Sequence, residues 1–366
     1  MLPRGPGRLS LSALAVLTVG CGGRYGGTPR TAAAGTSTAA APVDLEAAAL
    51  PYQIVDARTG RQVDAPAFWT ALASARAVCV GEDHTNAHHH WVQLEVVRQL
   101  AKRGGGSPLA LGLEMVQRPF QGPLDDYAAK KIDAATLRSR TDWAERWGYD
   151  WGFYGPTLDA AAGAGGALLA LNAPRELTKK VVRQGLEALT PAERAQLPQL
   201  VLDDATHRAW FDGLMAGMGG AGGHSTTKAP AVADAKPADA AAKPPADDAA
   251  RAEDPHHGHA AMPSAERVYT VQVIWDESMA EGTATWLAAH PQGKAIILAG
   301  NGHCHESAIV RRLERRGVGD VVSVRPVLDI GSEVADVLAK PVNDFAVVLQ
   351  LSPEAKAAAE KAAAEE

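Results

Sequence analysis

The sequence predicts an α/β fold: a central, mostly parallel sheet flanked by helices, in a single large domain with a disordered insert. Three observations predict it. Short apolar runs at 77–80, 109–113, 167–171 and 295–298 end abruptly in polar or Gly-rich strings. Each run is followed by a stretch of helical character, and strands that alternate with helices imply parallel pairing. The run ends carry Glu82, His84, Glu114, Asn172 and His303. A parallel sheet brings such residues to one carboxyl rim, where ligands bind.

The amino terminus comes first. Arg4 and Arg8 precede an apolar stretch over 9–19 that ends at Gly20-Cys21. A basic start, a short apolar run and small residues describe a secretory signal. The run is too short for a permanent membrane-spanning helix. A Cys directly after Gly is similar to a bacterial lipoprotein signal, with Leu17 one position early and Thr18 at the usual Leu position. Residues 1–21 are therefore expected to be a lipoprotein-like leader with Cys21 as lipid anchor. Residues 22–43 are rich in Gly, Ala, Thr and Pro and read as a flexible tether. The expected location is the cell envelope, lipid-anchored at the outer membrane. Net charge is −6, and no basic stripe marks a nucleic-acid surface.

The helices follow from spacing and caps. Residues 88–103 place Trp91, Leu94, Val97 and Leu100 on one face, with Asn86 as N-cap. Pro174 opens another helix after Asn172. Ser264 caps 264–290, with Val268, Val271, Trp275, Met279 and Trp286 along one stripe. A short helix over 305–316 ends at Gly317, which suits a left-handed cap. Residues 321–324 and 345–349 read as two more strands. The segment 219–263 has no Ile, Leu, Phe, Trp or Tyr and cannot bury enough apolar surface to fold. It reads as an insert within a domain spanning 44–350. Residues 351–366 form a charged, Ala-rich tail.

Three cysteines do not make a disulfide framework. Cys21 is assigned to lipid. Cys79 reads as a buried apolar residue. Cys304, between two histidines, is a candidate ligand, and a Cys79–Cys304 bridge is an alternative without positive support in the sequence.

Side-chain alternation points Glu82 and His84 one way and Asp83 the other, and likewise aligns His303 with His305. Gly300 and Gly302 permit close approach of backbone to a ligand. The plainer readings are a polar turn capping the next helix for Glu82 and His84, and an ion pair for Glu114. Among His88, His89 and His90, His88 is expected nearest the rim and the others at the surface. His84, His303 and His305 are candidate ligands for a divalent metal. Glu82, His84, Glu114 and His303 are the catalytic set if the chain is a hydrolase, with Glu82 or Glu114 as general base. No Gly-x-Ser-x-Gly elbow suggests a serine hydrolase.

An aromatic segment follows. Trp143, Trp147 and Trp151 recur every four residues, one helical face if the helix persists through Gly148. Core packing accounts for most of these rings. Tyr149 and Tyr154 differ, because a phenolate is a hard ligand for ferric iron and Tyr is an axial ligand of haem. Tyr154 is favoured over Tyr149: it precedes Gly155-Pro156, where a loop gives way to a helix, and is expected to be exposed at the rim. His256, His257 and His259, with Met262, are either a soft-metal cluster or a variable His-rich linker.

Taken together, Gly81-Glu82-Asp83-His84-Thr85-Asn86, Leu113-Glu114-Met115, the segment 142–150, Leu171-Asn172-Ala173-Pro174-Arg175-Glu176, the segment 273–280 and Gly300-Asn301-Gly302-His303 resemble the ChaN family of haem-binding bacterial lipoproteins. The resemblance runs from about residue 50 to about residue 325. It implies an outer-membrane lipoprotein of haem-iron uptake, a Tyr ligand to haem, a homodimer enclosing paired haems, and an outer-membrane haem receptor as partner. Tyr154, Tyr149, His84 and His303 are the expected haem-binding residues. The wider superfamily includes erythromycin esterases and the Tiki and TraB proteins. Some of these use Gly-x-x-His and Glu motifs for hydrolysis, Tiki with a metal. Gly81-x-x-His84, Glu114 and Gly300-x-x-His303 match those motifs, so the resemblance also implies an alternative: a hydrolase, with or without a metal.

Overall fold

The computed structural model describes residues 43–219 and 264–365. The expected leader with Cys21, the tether up to residue 42, and His256, His257, His259 and Met262 lie outside the described residues.

Eight strands form one sheet: β1 (Tyr52–Asp56), β2 (Arg61–Val63), β3 (Ala77–Val80), β4 (Leu109–Gln117), β5 (Ala167–Asn172), β6 (Lys294–Leu298), β7 (Val321–Leu328) and β8 (Phe345–Leu349). Their order is β2-β1-β8-β7-β3-β6-β4-β5. The six strands from β8 to β5 in that order are parallel, as the apolar runs imply. Such strands are buried on both faces and read as continuous apolar runs. The β1–β2 hairpin is antiparallel and escapes the sequence reading. Arg61 and Gln62 of β2 are exposed, so this edge strand carries no apolar pattern.

The described helices are α1 (Ala65–Ser74), α2 (Ala87–Arg103), α3 (Gln121–Ala128), α4 (Ala134–Arg140), α5 (Trp143–Arg146), α6 (Gly155–Gly163), α7 (Arg175–Gln184), α8 (Pro191–Arg194), α9 (Ala205–Gly219), α10 (Ala265–Ala289), α11 (Arg311–Arg315), α12 (Glu333–Ala339) and α13 (Pro353–Glu365). One face of the sheet is covered by Phe68 and Leu72 of α1, Val92, Val96 and Val97 of α2, Leu124 of α3 and Leu158 of α6. Met279, Ala280 and Leu287 of α10 and Leu313 of α11 cover the other. Each fully sealed Leu contributes about 2 kcal/mol of transfer free energy. Asn86 Oδ1 accepts from the His88 and His89 amides at 3.0 and 3.3 Å, which fixes where α2 starts beside the rim. Among the described residues, no helix is long and apolar enough to cross a membrane.

Two expectations are corrected here. The helix through Trp143, Trp147 and Trp151 stops at Arg146, because Gly148 takes a left-handed φ of +82°. Its glycine frees the chain to turn there, yet Trp143 and Trp151 still meet edge-on at 5.0 Å. Cys79 and Cys304 form a disulfide, with Cα atoms 5.3 Å apart, inside the range such a bond requires. Cys304 is therefore no ligand. Cys79 pairs with Ile297 across β3 and β6, and the chain after β6 folds back to bring Cys304 over it.

Candidate functional site

The rim is built from strand ends. β3 delivers Glu82 and His84, β4 delivers Glu114, and the loop after β6 delivers Gly300 and His303. A register shift between Leu113 and Gln117 interrupts the β4–β5 ladder where Glu114 leaves it. Asn172 serves this geometry rather than a ligand: its Nδ2 donates to the Glu114 carbonyl at 2.9 Å.

Glu82 is 1% exposed and gathers three partners. Its Oε1 accepts from His84 Nδ1 at 2.6 Å and from the Tyr154 hydroxyl at 3.0 Å. Its Oε2 lies 3.1 Å from His90 Nδ1. Burial pushes this carboxyl up, but the His90 charge and the His84 hydrogen bond outweigh burial and hold it well below the usual carboxylate range. For His84, burial favours the neutral ring. The hydrogen bond and charge of Glu82, with the charge of Glu114, override it and raise the ring to about 9. With Nδ1 engaged, Nε2 is the nitrogen that faces Gly300: a Cβ on Gly300 would lie 3.4 Å from it and 3.8 Å from Glu114 Oε2. Only glycine leaves this gap clear.

A second carboxylate–imidazole pair stands beside the first. His303 Nδ1 donates to Asp276 Oδ1 at 2.6 Å, and its Nε2 lies 3.5 Å from Glu114 Oε1. Glu114 Oε2 accepts from the Gly300 amide at 2.7 Å. Burial pushes His303 down, while the charges of Glu114 and Asp276 raise it above its ordinary value. Asp276 is fully buried. Burial would raise it, but Arg312, His207 and His303 hold it well below the carboxylate range. Glu82, His84, Glu114 and His303 are thus contiguous, as the strand ends predict.

The histidines beside them are distributed differently from expectation. His90, expected at the surface, is sealed under the rim: Nε2 donates to the His84 carbonyl at 3.2 Å and the ring stacks on Phe153 at 4.6 Å. His89 is buried as well, while His88 is only half-buried and is tied to the Ala48 carbonyl at 2.7 Å. His305 does not share the direction of His303, because residues 299–305 form turns rather than a strand. Its Nδ1 meets Ser307 Oγ at 3.2 Å and its ring lies 4.2 Å from Trp210. Burial lowers it to about 3. The expected metal trio of His84, His303 and His305 is therefore not assembled. Among the described residues, no group of three or more His, Cys, Asp or Glu side chains is placed to hold a metal ion.

Sequence reasoning also missed Asp276, Glu277, His207 and Arg312. Arg312 is fully buried, donates to the Ser307 carbonyl at 2.8 Å, and lies 3.6 Å from Asp276 and 3.4 Å from Glu277. The available signal was a pair of acids in the apolar middle of α10.

The two tyrosines differ in burial, and not as expected. Tyr154, expected to be exposed, is fully buried and donates to Glu82; burial and the Glu82 charge push its phenol well above the usual range. The short turn Trp151–Phe153 folds it inward beneath Trp143 and Trp147. Tyr149 is half-buried, 4.9 Å from the His84 ring and 5.4 Å from Trp147. Burial, Glu114 and Glu82 raise its phenol too. Tyr149, Trp147 and His84 therefore form an aromatic cluster beside the Glu82–His84 pair, with the Trp147 ring edge-on to the other two.

Comparison with known proteins bears on the fold and the family. The fold is similar to a solved structure of ChaN of Campylobacter jejuni with cofacial haem binding, at TM-score 0.55 and 15% identity, covering 81% of this chain and 96% of that one. An erythromycin esterase mutant, EreC in its open conformation, aligns at TM-score 0.38 and 14% identity over 81% of this chain and 82% of that one. Over 136 residues the sequence is 29% identical to the chloroplastic protein RETICULATA-RELATED 5 of Arabidopsis thaliana. That match covers 36% of this chain and 18% of that protein, so the chain spans less than a fifth of its relative's length. Residues 68–313, more than half of the chain, match the model of the family described as haem-binding uptake, Tiki superfamily, ChaN, and the chain belongs to that family.

Proposed function

We propose that this chain binds haem at the carboxyl rim of its sheet and serves haem-iron uptake at the cell envelope, held there by lipid on Cys21. Family membership supports haem as the ligand. One observation carries the choice of residues. Tyr149 is the half-buried phenol beside His84 and Trp147, whereas Tyr154 is sealed against Glu82. Tyr149 would supply a hard oxygen donor for ferric iron, with the Trp147 and His84 rings beside it. Haem would bring the iron, and the cargo taken up would be that iron with its porphyrin. The protein's own work is positional. Glu82 orients His84, Asp276 orients His303, and Gly300 keeps the gap between His84 and Glu114 clear. Two copies meeting at this rim would enclose paired haems, and an outer-membrane receptor would be the source of the ligand.

A second reading draws on the same two carboxylate–imidazole pairs. In a hydrolase, Glu114 would be the base, because His84 at about 9 carries a proton at neutral pH. The test is a ferric-haem titration of wild type, Tyr149→Phe and Tyr154→Phe followed at the Soret band. Tyr149→Phe is expected to lose affinity and the tyrosinate charge-transfer band, while Tyr154→Phe retains both. Equal binding in all three would refute ligation by either phenol.

A further inference from the structure

We propose that the Cys79–Cys304 disulfide is a positioning clamp of the rim, fastening the loop that carries His303 to the strand that leads into Glu82 and His84, so that its reduction weakens binding of ferric haem there. The inference rests on the haem reading of the site.

The bond joins two motifs that are 225 residues apart in sequence. Cys79 sits on β3, three residues before Glu82, and Cys304 is the direct neighbour of His303. The loop 299–305 has no helix or strand of its own. Its other ties are hydrogen bonds, among them the Gly300 amide to Glu114 Oε2 at 2.7 Å, the Asn301 amide to the Glu82 carbonyl at 2.9 Å, Gln272 Nε2 to the Gly302 carbonyl at 3.0 Å, the Ile309 amide to the His303 carbonyl at 3.1 Å, and Asn343 Nδ2 to the Cys304 carbonyl at 2.5 Å. His303 has to reach two elements at once, Asp276 on α10 at 2.6 Å and Glu114 on β4 at 3.5 Å. A displacement of about 1 Å takes the first contact out of hydrogen-bond range. Both cysteines are fully buried in the core formed with Ile297, Ile309 and Leu313. Two thiols sit farther apart than two bonded sulfurs, so cleavage removes the covalent tie between the loop and β3 and leaves its hydrogen bonds to hold His303.

A dithiol supplies the chemistry. One of its thiolates attacks a cysteine sulfur and the Cys79–Cys304 bond breaks. Its second thiolate then attacks its own sulfur in the mixed disulfide and displaces the other cysteine as a thiolate. The chain gains two electrons and two protons as two thiols, and the dithiol leaves as a cyclic disulfide.

The test compares the full chain oxidised, reduced with dithiothreitol, and reoxidised, with thiol content read by alkylation and mass. The Cys79→Ala/Cys304→Ala double variant is a second arm, and far-UV circular dichroism monitors the fold. Reduction is expected to lower ferric-haem affinity by at least about tenfold, as a loosened binding shell does. It should also change the charge-transfer bands and speed amide exchange at 300–304, with recovery on reoxidation. Leu72→Ala, a cavity in the core away from the rim, should lower stability and leave affinity and bands unchanged. Unchanged affinity and bands in the reduced chain would overturn the proposal. So would global unfolding in both arms, because the bond would then be a general staple. If Tyr149→Phe binds haem like wild type, the haem reading fails. Amide exchange then decides the clamp by itself, and unchanged exchange at 300–304 overturns it.

Discussion

Glu82→Gln removes a buried charge and leaves the shape of the rim almost unchanged. The Glu82 carboxylate is the main reason that His84 rises from 6.5 to about 9 against the effect of burial. At 1.36 kcal/mol per tenfold change, that rise corresponds to about 3 kcal/mol of stability. The sign follows from linkage. A ring whose folded value is raised stabilises the fold below its unfolded value near 6.5, and the contribution disappears as pH climbs through 9. The carboxylate itself stays ionised throughout that window, because its folded value is lowered. The variant also strands His90, 3.1 Å from the lost charge, so breaking the group costs about 3 to 5 kcal/mol near neutral pH. Urea unfolding at pH 6, 7.5 and 9.5 measures the gap between wild type and variant. The gap should be largest at pH 6 and shrink by roughly 3 kcal/mol at pH 9.5. A gap that is constant with pH would refute the pairing of Glu82 with a protonated His84.

Three further outcomes follow. Gly300→Ala places a Cβ 3.2 Å from His84 Cε1; it should keep the fold by circular dichroism and lower haem affinity measurably, and unchanged affinity would show that the gap is not used. His305 is held down to about 3 by burial, so it destabilises the fold as pH falls from 6.5 toward 3. His305→Phe should flatten that acid limb by roughly 4 kcal/mol in denaturant titrations, and superimposable limbs would contradict the assignment. Replacing 219–263 with a short Gly/Ser linker should move the thermal midpoint by only a few degrees, because closure entropy grows slowly with loop length; loss of a cooperative transition would show that the segment packs.

Much of the rim was legible because strand ends are local signals. The run 77–80 and the acids and histidines just after it can be read without knowing the rest of the chain. The caps Asn86 and Ser264 were legible for the same reason, and both helices start next to them. His90 was not, since which of three successive histidines faces inward depends on how α2 docks on the sheet. Tyr154 was misplaced because Gly155-Pro156 suggested an exposed junction, whereas the turn before it folds the ring under two tryptophans. Asp276 and Glu277 fall off the apolar stripe of 264–290, which gives no sign that they are buried. They are buried because Arg312, Arg315 and Arg316 arrive from α11 and the residue after it to neutralise them. The disulfide joins residues whose proximity exists only after β3 and β6 have paired.

The most direct measurement is a crystal structure of the full chain loaded with ferric haem, with the iron located by anomalous scattering. The iron peak is predicted next to the Tyr149 hydroxyl, beside His84 and Trp147. A peak away from this rim, for example among His256, His257 and His259, or iron held by Tyr154 in place of Tyr149, would contradict the proposed site.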